Sequence, residues 1–199
     1  MQHLNLLANA IKQTVALTDA ELADLLQGVT HRKLARREHL LLAGEVCDVV
    51  YYIVEGCLRY YALSEKGEER TGQFFFENEW YTDYASFLQL QPSGQCIQAL
   101  EPTQVLILSR KHLYEAYDRT PRLERFGRLM AEQAYLGARG RNMSLLSQTP
   151  EQRYQALIER RPQLLQRVPL HYIASFLGIE PESLSRIRKR GYEQEHGNG

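Results

Sequence analysis

The residues best suited to chemistry in this 199-residue chain lie close to its C-terminus and carry charges or hydroxyl groups. They occur between positions 182 and 190, where Leu184 and Ile187 are the apolar residues, three positions apart. Arginine can pair with guanine through two hydrogen bonds, glutamate can accept one from cytosine, and lysine and serine can contact phosphates. The sequence therefore predicts a nucleic-acid-binding surface formed by Glu182, Ser183, Ser185, Arg186, Arg188, Lys189 and Arg190.

The residues around this set predict a helix-turn-helix. Ile173, Ala174 and Leu177 fall at helical spacing and end at Gly178, which tolerates the left-handed backbone of a sharp turn. Pro181 then suits the first turn of a second helix, where a missing N–H costs no hydrogen bond. The alternative is a two-helix corner within a core, whose basic end complements the helix dipole.

The second helix of a DNA-binding helix-turn-helix reads bases near its N-terminus and touches phosphates from its flanks. We therefore expect Arg186 and Glu182 to discriminate bases, and Arg188, Lys189 and Arg190 to contact phosphates.

The charge distribution favours this reading although the formal net charge is zero. Residues 1–118 contain 10 Lys and Arg against 16 Asp and Glu, whereas residues 119–190 contain 14 against 6. An acidic front half and a basic back half are what we expect if one part of the chain binds phosphates.

The cysteines and histidines predict neither metal nor cofactor. Cys47, Cys57 and Cys96 are far apart, the six histidines are scattered, and no metal-ligand spacing occurs. Reduced thiols are typical of a cytoplasmic protein, and the sequence contains no signal peptide or apolar run of membrane-spanning length.

Short runs of β-branched and aromatic residues, separated by turn residues, predict a β-rich domain after two N-terminal helices. The predicted strands are 40–42, 49–54, 57–63, 70–76, 95–100 and 105–108. Hairpin turns are expected at Glu55-Gly56 and at residues 65–68. Many short strands with regular turns favour a barrel or sandwich.

A long helix is predicted from Pro121 to about Leu146. One stripe of this helix favours dimerisation, although the helix could instead pack only on the barrel. The stripe is formed by Leu123, Phe126, Met130, Ala134 and Gly137. A hinge at 147–150 leads to two short helices that support the helix-turn-helix.

This order of elements resembles the CRP/FNR family of transcription regulators. Gly44-Glu45, residues 49–56 with Arg59, and Gln98-Ala99 followed by residues 105–108 look like strands of the family's β-roll. The resemblance implies an α+β fold with an N-terminal β-roll or jelly-roll barrel, a long dimerisation helix and a C-terminal all-α helix-turn-helix domain. It places these parts at residues 1–118, 119–146 and 147–199, and implies a homodimer that binds double-stranded DNA. Many relatives carry a β-hairpin wing after the recognition helix, but residues 191–199 are too few and too polar for one.

The resemblance fails where family members hold cyclic AMP. Those members use Gly-Glu to open a short helix and Arg-Ser to hold the phosphate, and the corresponding residues here are Thr82-Asp83 and Ser93-Gly94. The phosphate-binding arginine is therefore missing, and we expect no cyclic AMP binding of the usual kind. A pocket for another small effector is predicted at Arg59, Trp80, Tyr81, Thr82, Asp83, Tyr84 and Ser93, although its aromatic residues could simply pack the short helix on the barrel.

A dimeric, sequence-specific DNA-binding regulator is the function that the sequence favours. The alternative is a small-ligand-binding signalling module whose DNA-binding part is vestigial. An enzyme is not expected, because the chain contains no G-x-S-x-G, H-E-x-x-H, Walker or G-x-G-x-x-G pattern.

Overall fold

The computed structural model describes the backbone of residues 2–196 and the side chains of residues 3–190. The fold is mixed α+β, with an antiparallel β-roll followed by helices, as the sequence predicts. The strands are β1 (Val29–Leu34), β2 (His39–Leu41), β3 (Val49–Glu55), β4 (Leu58–Leu63), β5 (Glu69–Phe75), β6 (Trp80–Tyr81), β7 (Gln95–Ala99) and β8 (Thr103–Ser109). The helices are α1 (Gln2–Thr14), α2 (Asp19–Gln27), α3 (Tyr84–Gln89), α4 (Arg110–Arg119), α5 (Arg122–Ser147), α6 (Pro150–Arg160), α7 (Leu164–Arg167), α8 (Leu170–Leu177) and α9 (Pro181–His196).

The strands form two antiparallel four-stranded sheets that pack face to face as a roll. One sheet has the order β1-β8-β3-β6 and the other β2-β7-β4-β5. Side chains at alternate strand positions meet between the sheets, where Ile53, Leu58, Ile97 and Val105 are fully buried. Within residues 2–196 no strand ladder joins the two sheets, so the roll is not the closed barrel that the sequence suggested.

The hairpin predicted at Glu55-Gly56 is wrong, because β3 and β4 belong to different sheets. The chain crosses between the sheets at Gly56, where φ is +99° and a Cβ would lie 2.7 Å from a backbone carbonyl oxygen. The hairpin predicted at 65–68 is confirmed. There β4 pairs with β5, the Ser64 amide donates to the Glu68 carbonyl at 2.9 Å, and the Gly67 amide donates to the Ser64 carbonyl at 2.9 Å.

Helix α5 changes its environment along its length. Leu123 and Phe126 are buried against the roll of their own chain, together with α1, α2 and α4. Residues 131–140 are exposed, and Ala134 and Gly137 border a cavity beside the roll. The first part of the stripe predicted for dimerisation, Leu123, Phe126 and Met130, therefore packs on the chain's own roll, whereas Ala134 and Gly137 are exposed.

A second apolar stripe lies on another face of α5, about 120° around the helix axis from the first. Leu129, Leu136 and Met143 follow one another at seven-residue intervals, and Leu136 and Met143 are 56% and 48% exposed. At about 100° per residue these positions share one face of the helix. This stripe is the apolar surface that α5 presents away from the roll.

The C-terminal helices pack on the outer face of the second sheet. Phe74, Phe76 and Leu100 of the roll belong to the same buried cluster as Ile173 and Leu184 of the helices. Helix α8 lies beside β5, where the Ser175 hydroxyl accepts from the Thr71 amide at 3.0 Å and donates to the Glu69 carbonyl at 3.1 Å. The roll and the helices thus share an apolar core.

Helix α9 continues through His196, so residues 191–196 are helical and form no β-hairpin wing. Residues 197–199, the rest of the segment considered for the wing, lie outside the described residues. Across residues 2–196, no helix is both long and apolar enough to cross a membrane.

Candidate DNA interface and ligand cavity

The turn between α8 and α9 has the backbone that the sequence predicts. Gly178 adopts φ +69°, and its amide donates to the Ser175 carbonyl at 3.1 Å, while the Ile179 amide donates to Ala174 at 3.0 Å. These bonds satisfy carbonyl groups that the end of α8 would otherwise leave unpaired. Ala174 is fully buried, so a small side chain lies where the two helices approach.

Helix α9 has a buried side and an exposed side. Leu184 and Ile187 are 1% and 7% exposed and anchor the helix to α8 and its neighbours. Of the residues predicted to contact DNA, Ser183 is half-buried and the others are exposed. Those exposed residues are Glu182, Ser185, Arg186, Arg188, Lys189 and Arg190.

The side chains predicted to read bases lie together in the N-terminal half of α9. Arg186 donates from Nη2 to the Ser183 hydroxyl at 3.3 Å and from Nε to the Glu182 carbonyl at 3.4 Å. The Ser185 hydroxyl donates to the Pro181 carbonyl at 3.1 Å. These are weak, exposed contacts that a guanine or phosphate could replace.

Arg190 lies near the outer end of this surface and pairs with Glu151 of α6 at 3.3 Å. Both side chains are at least half exposed, so the pair is worth little in water. The arginine is thus accessible to a phosphate that competes with Glu151.

A cavity of about 1070 Å³ lies between the roll, α3 and α5. Much of its wall is aromatic, and the tyrosines Tyr60, Tyr81, Tyr84 and Tyr117 are held away from water, so that burial raises the pKa of each hydroxyl. The hydroxyls therefore stay neutral at physiological pH. The cavity suits a ligand with a substantial apolar body.

Five of the seven residues predicted for the effector pocket line this cavity. They are Trp80, Tyr81, Thr82, Asp83 and Tyr84. Thr82 and Asp83 already have partners within the protein: Thr82 donates to the Val49 carbonyl at 2.8 Å, and Asp83 accepts from Ala85 at 3.2 Å as the N-cap of α3. These two polar side chains hold the loop and α3 in place.

Ser93 does not line the cavity but donates to the second carboxylate oxygen of Asp83 at 2.6 Å. No Lys or Arg occurs between positions 82 and 95. Residues 82–95, the segment expected to correspond to a cyclic-phosphate site, thus provide hydroxyl groups and one carboxylate. That carboxylate belongs to Asp83, which is buried and already hydrogen-bonded.

Arg59 lies outside the cavity, on the outer face of the second sheet. It is fully buried, between the rings of Tyr61 and Tyr172, whose centroids lie 4.2 Å and 3.7 Å from the guanidinium carbon. The guanidinium also donates to Gln98 at 2.8 Å and pairs with Glu69. Its expected role in the effector pocket is wrong for this structure, because Leu58 and Tyr60 take the inward positions on either side of it in β4.

Two further arginines connect the C-terminal helices to the roll. Arg161 pairs with Glu79 at 3.0 Å, and Arg167 pairs with Glu77 at 2.6 Å and with Glu101. The hydrogen bond from Arg167 lowers the pKa of Glu77, whereas burial raises the pKa of Glu79 despite its arginine. Sequence reasoning missed this set, because each partner lies far away along the chain.

Arg141 is a residue of the cavity wall that sequence reasoning also missed. Its position four residues after Gly137, on the same face of α5, could have indicated that it lines the cavity. It donates from Nη2 to the Phe176 carbonyl of α8 at 2.6 Å, so it connects the cavity to α8.

Comparison with known proteins agrees with this architecture. Residues 31–120 match the family model of the cyclic nucleotide-binding domain. Among curated protein sequences, none matches the chain significantly.

Solved structures of transcription regulators share the fold over most of the chain. FixK2 from Bradyrhizobium japonicum is similar with a TM-score of 0.73 and 21% identity, over 84% of this chain and 86% of that one. The c-di-GMP-responsive global regulator CLP from Xanthomonas campestris gives 0.67 and 15%, over 89% and 93%. The catabolite activator protein from Thermus thermophilus gives 0.56 and 20%, over 94% and 88%.

Proposed function

We propose that this protein is a transcription regulator of the CRP/FNR type that binds double-stranded DNA through α9. The observation that carries the proposal is the division of α9 into a buried side, Leu184 and Ile187, and an exposed side with arginine, lysine, serine and glutamate. An element with this division can enter a major groove while α8 supports it from behind. The basic composition of residues 119–190 supplies attraction to phosphates.

The proposed regulator is a homodimer. The stripe Leu129, Leu136 and Met143 on α5, in which Leu129 is half-buried and the other two are exposed, has the seven-residue spacing with which helices pair in parallel. Gly140 lies near this stripe with no neighbour within 4 Å of its Cβ position, so a partner helix could approach closely. Two-fold symmetry would then present two copies of α9 to successive major grooves about 34 Å apart.

The proposed input is a small molecule bound in the cavity, and cyclic AMP bound in the usual way is not that molecule. The Ser93-Gly94 pair contributes no cation, and Asp83 is occupied by α3 and Ser93. No catalytic activity is part of the proposal.

The experiment that tests the proposal is selection of bound duplexes from a random DNA pool by the full-length protein. A consensus with two-fold-related halves is the expected result, because a symmetric dimer reads two half-sites. If the DNA recovered at low salt showed no consensus, α9 would bind DNA without sequence preference. Absence of any binding would favour the alternative, a ligand-binding module with vestigial DNA binding.

A further inference from the structure

The wall of the cavity contains a cation that lacks an acidic partner. Three arginines line the cavity, and Arg128 and Arg161 each pair with a glutamate. Arg141 makes no ion pair with any carboxylate of residues 3–190, although it is substantially buried. Burial accordingly lowers the pKa of its guanidinium. A charge taken from water without a counter-ion is unfavourable, so the protein holds this arginine in a position that an anion would stabilise.

The contacts of Arg141 leave part of its guanidinium available. Nη2 donates to the Phe176 carbonyl at 2.6 Å and to the Thr71 carbonyl at 3.4 Å, and the guanidinium carbon lies 3.8 Å from the centroid of the Phe176 ring. Across residues 3–190, Nε and Nη1 make no hydrogen bond. Nε and Nη1 therefore keep unused N–H donors, and a carboxylate that forms two parallel hydrogen bonds would use one of them together with Nη2.

The cavity surrounding this cation is aromatic. Tyr60 and Tyr81 stack with centroids 5.6 Å apart and planes within 9°, and Phe75 lies 4.2 Å from Tyr81. Tyr60 is close enough to Arg141 that its ionisation and that of the guanidinium affect each other. A ligand that reaches Arg141 therefore places its remaining atoms against aromatic surface.

We propose that the cavity binds a hydrophobic monocarboxylate, whose carboxylate pairs with Arg141 and whose apolar body packs against Tyr60, Phe75 and Tyr81. The volume of about 1070 Å³ accommodates such a molecule. One arginine without a partner matches one negative charge, which distinguishes this ligand from a doubly charged phosphate. This proposal rests on the proposed function in one respect, because the bound carboxylate is an effector only if the protein is a regulator.

Arg141 also links ligand binding to the helix-turn-helix. The guanidinium that would receive the carboxylate is the one that holds the Phe176 carbonyl of α8. A carboxylate bound through two hydrogen bonds shares Nη2 with the Phe176 carbonyl, so the ligand weakens one attachment of α8 to the roll. Arg141 would thus contact both the bound carboxylate and α8.

The test uses the full-length protein and two probes of one shape, 4-phenylbutyrate and its neutral amide. Trp80 is the chain's one tryptophan and lines the cavity, so its fluorescence reports on binding. We expect the acid to bind about tenfold more tightly than the amide, as a charge-assisted hydrogen bond predicts. Equal affinities, or no saturable binding of the acid, would overturn the proposal.

Variants of α5 then assign the preference to Arg141. Arg141→Gln should remove the preference for the acid, Arg141→Lys should retain part of it, and Arg139→Gln, an exposed arginine on the same helix, should leave it unchanged. Persistence of the preference in Arg141→Gln would refute the assignment. If that variant does not fold, the acid–amide comparison in wild type and in Arg141→Lys decides the question. The assay contains no DNA, so its outcome is separate from that of the DNA selection.

Discussion

The guanidinium carbon of Arg59 lies 3.7 Å from the centroid of the Tyr172 ring, so a buried cation of β4 meets an aromatic residue of α8 across the boundary between roll and helices. Glu69 and Gln98 complete the surroundings of Arg59. Glu69 and Gln98 belong to the roll, so docking of α8 adds an aromatic cover to a charge that the sheet already compensates.

Replacing Tyr172 should loosen that docking. We expect Tyr172→Ala to lower the free energy of unfolding by about 2 kcal/mol, because a desolvated cation–π contact is lost and Arg59 loses its cover. Urea unfolding measures the change. Tyr135→Ala is the control, since Tyr135 is 66% exposed, and it should change stability by less than about 0.5 kcal/mol. Equal effects of the two substitutions would show that the Arg59–Tyr172 contact contributes nothing special.

Two arginines of α9 should affect DNA binding differently. Arg186→Ala should cost about 1–3 kcal/mol on the selected site and relax the preference at one base pair, because Arg186 lies with Ser183 in the half of α9 that we propose reads bases. Arg188→Ala should weaken binding to all sequences alike and reduce its salt dependence. Binding measurements on single-base variants at several salt concentrations separate the two roles. A uniform loss for Arg186→Ala would remove it from base readout.

The exposed stripe of α5 should hold the dimer together. Leu136→Glu places a charge in the proposed interface and should shift the protein from dimer to monomer in sedimentation velocity measurements. Asn142→Glu adds the same charge on another exposed face of α5 and should leave the dimer intact. A Leu136→Glu protein that stays dimeric would place the interface elsewhere.

Docking of the C-terminal helices should weaken in acid. Arg167 lowers the pKa of Glu77 below its ordinary value of 4.5, so this ion pair adds stability above pH 4.5 and loses it as the pH falls through the folded-state pKa. The difference in free energy of unfolding between wild type and Glu77→Gln should therefore be largest at neutral pH and shrink in acid. Urea unfolding over this pH range measures it. Glu65→Gln, an exposed control, should show no comparable pH-dependent difference.

The sequence predicts the elements better than it predicts their partners. The six strand runs rich in β-branched and aromatic residues are strands in the structure, whereas β1 escaped prediction because Thr30, His31, Arg32 and Lys33 give it no apolar alternation. A strand like this forms because β8 offers it a complete ladder of hydrogen bonds. Tertiary pairing overrides a weak local preference there.

In the candidate sites, too, features with local sequence signals were predictable, whereas contacts between distant residues were not. The turn at Gly178 was predictable because a left-handed residue and a following proline are local signals. The side to which Arg59 points was predictable as well, since Leu58 and Tyr60 flank it in a strand. Periodicity alone cannot say which stripe of α5 meets the roll, and Arg161 lies 82 residues away from its partner Glu79.

The apolar cluster shared by the roll and the C-terminal helices determines how the protein can be divided. Cutting the chain after residue 146 would expose Phe74, Phe76 and Leu100, and would leave Arg59 without Tyr172. We therefore expect the isolated roll to aggregate and the whole chain to unfold in one cooperative transition. A protein built in this way cannot exchange its C-terminal helices for others without redesigning the surface of the roll, so its two parts are constrained to change together.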